Sequence, residues 1–257
     1  MREHDVAHRI ATQGHAVIEG AVPEHLVETL ADKMREQWRA HGAPKLFSQR
    51  DVSIGERVHV SPVGMAMYGI LEPIPEAAHI ALLPEVRGVV ETLLGPRARL
   101  ELAAGIVSDH TRPFFFWHHH VGGIDGEDVR GTYPPIDRIE RIVCTTYLCP
   151  LDDAHGTMLV WPRRVGEPTA PPRPPGSEPW PGCVELRAPA GSIVFFDQPT
   201  WHAVTPMKRE GLRAFIAFFV TRADAPASRR RDPTIPAALA GSAELARAYS
   251  AGVPERR

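Results

Sequence analysis

The chain has little of what would mark it as secreted, membrane-spanning or nucleic-acid-binding. Only Cys144, Cys149 and Cys183 are present. They lack zinc-ribbon spacing, so neither a disulfide framework nor a thiolate metal site is expected, and they read as core or near-surface thiols. No apolar run approaches the length of a membrane span, and Met1 to His15 contain no stretch resembling a signal peptide. The expectation is a soluble, cytoplasmic protein with no membrane partner. Charge of one sign is also missing: 29 basic residues stand against 31 acidic ones. That balance gives no bulk attraction to nucleic acid and favours a small-molecule substrate.

At 257 residues the chain is long enough for one large domain with a buried core. Residues 1–99 read as a helical cap with a leading strand, 100–222 as a β-rich core and 223–257 as a C-terminal tail with a helix. Ala16-Val17-Ile18 lies between Gly14 and Gly20 as a short strand, and Pro23 suits the first turn of a helix. Leu26, Leu30, Met34 and Trp38 then recur every four residues and form one apolar face. A second helix starts near Pro84, carries Val86, Val89, Val90, Leu93 and Leu94, and stops at Gly95-Pro96. From about Leu100 the texture changes to short strands between glycine, proline and aspartate clusters. Candidates are Leu100 to Val107, Phe114 to His120, Arg141 to Leu148, Thr157 to Trp161, Ser192 to Asp197 and Arg213 to Val220. The proline-rich stretch from Glu167 to Pro181 reads as an extended surface loop. Ile235 to about Tyr249 reads as helical.

The chemistry concentrates at Trp117-His118-His119-His120 and at Trp201-His202. Side chains alternate across a strand, so His118 and His120 share one side while Trp117 and His119 share the other. Two imidazoles therefore converge, and His202 from a distant strand could complete three ligands on one face of a metal with the opposite face open; the bland readings are an HHH run that takes adventitious metal and a buried histidine hydrogen-bonded in the core. Arg213 opens the run RAFIAFFV, in which Arg213, Phe215, Ala217 and Phe219 share a face. An arginine on that face requires an anionic partner. A carboxylate of the same domain and the distal carboxylate of 2-oxoglutarate are equal readings from the residues alone.

Taken together, the order of motifs resembles the phytanoyl-CoA dioxygenase family. The similarity runs from Gly14 to Val220 through GHAVIEGAVPEHL, LLGP, WHHH, HGTMLVWP and GSIVFFD with the later Trp201-His202 and Arg213. The resemblance implies a double-stranded β-helix, a jelly-roll or cupin-like barrel with flanking N-terminal α-helices. It also implies an iron(II)- and 2-oxoglutarate-dependent oxygenase that uses dioxygen on a small-molecule metabolite. Carried over by position, His118, His120 and His202 are the metal ligands and Arg213 holds 2-oxoglutarate. The polar residue the family often has two positions after the last histidine is Val204 here, which leaves Thr205 as the substitute. Trp117, Thr145 and Tyr147 are candidates for the substrate pocket, and the high arginine, alanine and proline content fits a role in secondary metabolism.

His120 departs from the family, which has an aspartate there. A neutral imidazole leaves the metal one charge unit more positive. Four readings stay open. The site is a three-histidine iron centre that uses 2-oxoglutarate, or a three-histidine dioxygenase that does not. Alternatively the frame moves so that His120 and Gly122 match a halogenase, or the barrel is non-catalytic. A loop carboxylate, Asp125 or Asp128, is a further candidate ligand. The frame with His118 as first ligand is preferred, because tryptophan precedes that ligand and no deletion is needed.

Overall fold

The structure is a computed structural model and describes residues 3–45, 47, 51–121, 133–176, 178–226, 228 and 232–251. Helix α1 (Glu3–Gln13), strand β1 (His15–Ile18) and helix α2 (Glu24–Ala40) come first. Strands β2 (Val52–Ile54), β3 (Val58–Ser61) and β4 (Gly64–Tyr68) follow, then helices α3 (Ala78–Leu82) and α4 (Pro84–Leu94). The β-rich part holds β5 (Arg99–Asp109), β6 (Phe115–His118), β7 (Arg141–Tyr147), β8 (Met158–Val160) and β9 (Val184–Leu186). It continues with β10 (Ile193–Asp197), β11 (His202–Val204) and β12 (Leu212–Thr221). Helices α5 (Ile235–Gly241) and α6 (Ala243–Ala248) and strand β13 (Ser250–Ala251) end the described chain.

The strands form two sheets. The larger runs in the order β1-β10-β7-β12-β5-β4-β3-β2, with β13 also pairing β5, and the smaller in the order β6-β11-β8-β9. Apart from β13, which lies parallel to β5, neighbouring strands are antiparallel. The fold is therefore mainly β with flanking helices, as the sequence implies. The first 99 residues differ from the expected helical cap, because β2, β3 and β4 extend the large sheet. Their signal is short: Val58 and Val60 are buried on alternate positions, and Gly55 and Gly64 turn the chain at positive φ. The expected C-terminal helix is broken at Ser242, whose hydroxyl caps the next helix by accepting from Leu245 N at 3.1 Å.

Alternation sorts the strand residues into two cores. On one face of the large sheet, Ile142, Cys144, Ile193, Phe195, Ile216 and Phe218 pack against Leu30 and Met34 of α2 and Val86, Val89 and Val90 of α4. Each such side chain, when fully buried, contributes about 1.5–3 kcal/mol. Gly105 lets α2 approach, since a Cβ there would meet Met34 Sδ at 2.8 Å. On the opposite face, Ala104, Val143, Phe196, Ala217 and Phe219 look toward Met158, Val160 and Leu186 of the small sheet. The site lies in this second interior, between the sheets.

The segment from β10 to β11 is tied to the turn before β1. Gly14 has φ +77, and its carbonyl accepts from Asp197 N and from Thr200 Oγ1, both at 2.9 Å. A Cβ at Gly14 would stand 2.5 Å from Thr200 Oγ1 and 3.1 Å from the Arg163 carbonyl. Gly14→Ala is therefore expected to lower stability by about 1–3 kcal/mol, through both the left-handed backbone and the clash. Urea unfolding of the two proteins measures this, and an unchanged midpoint would contradict it.

Candidate metal centre

Two tryptophans fix the strands that carry the histidines. Trp117 on β6 and Trp201 just before β11 both point away from the interior, while His118 and His202 point inward, as strand alternation requires. Outside, the proline-rich segment lies over the small sheet. Trp180 stacks on Trp117 with ring centroids 4.1 Å apart and planes 5° from parallel, and lies 5.6 Å from Trp201. The Trp117 indole donates to the Glu178 carbonyl at 2.8 Å, and the Trp201 indole donates to the Thr169 carbonyl at 2.9 Å. The segment read as a surface loop thus clamps both histidine-bearing strands from outside. Trp117 belongs to this clamp and does not line the pocket, a correction to its sequence assignment.

The inner side brings the histidines together. His118 pairs with His202 across β6 and β11, and the register slips by one residue between His202 and Val204. This bulge turns Phe115 to the same cavity as His118 and leaves Phe116 half exposed. Ring centroids are 4.0 Å apart for His118 and His202, 5.2 Å for His118 and His120, and 5.0 Å for His120 and His202. One nitrogen from each of the three lies within 4.8 Å of the others. His119 faces outward, edge-on to Trp201 at 4.6 Å.

The surroundings keep these rings neutral and aimed. His118 Nδ1 lies 3.0 Å from the Phe116 carbonyl and His202 Nδ1 lies 3.0 Å from the Thr200 carbonyl. Each carbonyl takes the Nδ1 proton and leaves Nε2 as a lone-pair donor. Burial pulls the His118 pKa down to about 4 and holds His120 and His202 well below the ordinary value. Nδ1 of His120 is buried with no hydrogen-bond partner. Three neutral, convergent imidazoles with one orphaned nitrogen fit a divalent transition metal. His120 is placed through its own backbone: its N–H donates to the Gln198 carbonyl at 2.8 Å. Gln198 Oε1 accepts from Arg141 at 2.9 Å, and Arg141 forms a buried ion pair with Glu101 at 2.7 Å.

The histidines open into a cavity of about 210 Å³. Thr145, Tyr147, Arg213, Phe215, Ala217 and Phe219 line it, so the face read from β12 is the one that meets the site. Arg213 is 2 % exposed, and among the described residues none of its three buried guanidinium nitrogens has a hydrogen-bond partner. Its guanidinium carbon sits 5.1 Å from the Tyr147 ring centroid. Thr205 is not brought to the cavity. Its hydroxyl accepts from Thr157 N at 2.7 Å and meets Thr157 Oγ1 at 3.1 Å, tying the end of β11 to the start of β8. Gly122, Asp125 and Asp128 lie outside the described residues. Arg112, which sequence reasoning passed over, also lines the cavity, 3 % exposed. Its only sequence signal was a basic residue just ahead of the aromatic strand.

The fold is similar to that of solved non-haem α-ketoglutarate-dependent enzymes. The chain superposes on the non-haem α-ketoglutarate-dependent epimerase SnoN from nogalamycin biosynthesis with a TM-score of 0.62 at 17% identity, covering 86% of this chain and 81% of that one. The carbocyclase SnoK from the same biosynthesis gives 0.62 at 18% identity, with 87% and 85% covered. HygX from Streptomyces hygroscopicus, solved with nickel and 2-oxoglutarate, gives 0.60 at 14% identity, with 88% and 89% covered. No family model and no curated protein matches the sequence.

The buried histidines make the metal-free protein sensitive to acid. In the unfolded chain they bind protons from about pH 6.5 downward, whereas folded His118 does so only near 4. Across that window the unfolded state holds more protons, so stability falls as pH falls. Asp197, pushed up to about 7 by burial, works in the opposite direction but is a single group against His15, His118, His119, His120 and His202, all lowered chiefly by burial. Unfolding midpoints measured in the presence of a chelator are expected to drop between pH 6.5 and 4. Replacing His120 with Asn should flatten that drop, and an identical profile in the variant would contradict the assignment.

Proposed function

We propose that the chain is a non-haem iron(II)- and 2-oxoglutarate-dependent oxygenase of the double-stranded β-helix kind, similar to the phytanoyl-CoA dioxygenase family, acting on a small-molecule metabolite. His118, His120 and His202 are assigned as the metal ligands, with imidazole in place of the usual carboxylate. The observation that carries the reading is Arg213. A fully buried guanidinium with no hydrogen-bond partner faces the same cavity as the three histidines. An unpaired cation in such a place costs several kcal/mol, and a dicarboxylate that reaches from the metal to the arginine removes that penalty.

When bound, iron(II) with 2-oxoglutarate and dioxygen supplies oxidative decarboxylation to succinate and carbon dioxide, coupled to oxidation of a substrate C–H bond. The chain's own groups do the placing. Arg213 holds the distal carboxylate through paired N–H donors, with Tyr147 beneath the guanidinium to limit its motion. His118, His120 and His202 would hold the metal from one side and so would leave room in the cavity for the keto acid. Phe196, Phe219 and Met158 exclude water from the reacting centre. SnoN has been solved with Fe3+, α-ketoglutarate and a nogalamycin compound, and HygX with nickel, 2-oxoglutarate and hygromycin B. Those partners support metal, cosubstrate and small-molecule binding here.

The test is anaerobic addition of iron(II) and then 2-oxoglutarate, following the visible charge-transfer band of the chelate. The band is expected in the native protein. Arg213→Ala is expected to raise the 2-oxoglutarate Kd about 10- to 100-fold, the value of a charge-assisted pair. Arg213→Met should raise the stability of the ligand-free protein, because an unpaired buried charge is removed. A band of equal affinity in Arg213→Ala would overturn the cosubstrate assignment.

A further inference from the structure

Arg213 is one of two cations in the cavity. Arg112, in the short connection from β5 to β6, is as deeply buried and lines the same space. It is fixed by main-chain carbonyls: Nη1 donates to Pro113 at 3.1 Å and to Val204 at 3.5 Å, and Nη2 donates to Thr205 at 2.6 Å. Carbonyls orient a guanidinium but leave its full charge in place. Among the described residues, neither arginine takes part in an ion pair and no aspartate or glutamate lines the cavity. Burial, with Arg213 nearby, pulls the Arg112 pKa down to about 9, as crowding of like charges in a dry space requires.

Counted over the described residues, the charges do not balance with 2-oxoglutarate alone. A divalent metal held by three neutral imidazoles and two guanidinium groups makes four positive charges, and the dianion removes two. A carboxylate ligand would remove a third, but His120 stands in its place. The cavity still favours another anion. Its partly exposed lining residues indicate what carries that anion. Val63, Tyr68, Phe115, Val204 and Phe215 are half-buried there, so the entrance to a cationic interior is largely apolar and aromatic.

Building on the cosubstrate reading above, we propose that this cavity binds a second anion beside 2-oxoglutarate, and that it is the acidic group of an apolar-bodied substrate held by Arg112. The acid end enters toward Arg112 and the fixed carbonyl cradle keeps that cation aimed, while Phe115 and Phe215 cover the body. A halide shares the same charge logic and is separated by the test.

The test uses the full chain loaded with cobalt(II) and saturated with 2-oxoglutarate, with benzoate, benzamide and chloride as probes. The readouts are the cobalt visible spectrum and calorimetric binding. Benzoate is expected to bind at least about tenfold more tightly than benzamide, which has the same shape without the charge. Arg112→Gln should weaken benzoate about tenfold while changing 2-oxoglutarate affinity less than about threefold, and Arg112→Lys should recover most of the loss. Benzoate binding no tighter than benzamide overturns the proposal, and this arm needs no variant. Loss of 2-oxoglutarate affinity in Arg112→Gln, with benzoate unaffected, reassigns Arg112 to the cosubstrate and overturns it too. Chloride binding without benzoate binding overturns the substrate-acid assignment in favour of a halide. Failure of the native protein to bind 2-oxoglutarate at all is a different result, and it removes the cosubstrate reading itself.

Discussion

A guanidinium buried without a carboxylate is the constraint on which the rest of the site depends. Among the described residues the fold supplies Arg213 with an aromatic ring and a shared cavity but no counter-charge, so the free protein holds an unfavourable arrangement that an anionic ligand would relieve. Such a group persists only where the surrounding packing over-determines it. Here β12 lies between β5 and β7 in the large sheet, and Ile216 and Phe218 on its other face are buried in the helix-side core. The strand cannot turn Arg213 outward without exposing those residues. Stability stored in one core thus holds a functional group in the other.

The same logic orients the histidines. His118 and His202 each have an outward tryptophan as the preceding residue, and Trp180 locks the two tryptophans from outside. The proline-rich stretch looked like a loop because a strap of this kind has no periodicity. Its two indole-bound carbonyls, from Thr169 and Glu178, are long-range contacts that no local pattern encodes. For that reason Trp117 was read as pocket lining, although its position opposite His118 on the strand already placed it on the other side.

Much of the site was legible because alternation along strands is a local property. The convergence of His118 with His120, the outward His119, and the shared face of Arg213, Phe215, Ala217 and Phe219 all followed from a period of two. Arg112 was not legible, since it lies in a connection with no period and gains meaning only when the ends of β11 and β6 bring three carbonyls to it. Thr205 was misplaced for a related reason: its hydroxyl is used between strands, by Thr157. Strands β2 to β4 were missed because each is only three to five residues long, too short to show a period.

The proposed imidazole in place of a carboxylate ligand is the chemical point on which the account turns, because it would make the cavity more cationic and tie a bound metal to His120. X-ray absorption of the iron(II)-loaded protein counts those ligands directly. The account predicts scattering from three imidazoles in the native protein and from two in His120→Ala. Two imidazoles in both proteins, with oxygen ligands filling the remaining positions, would contradict it.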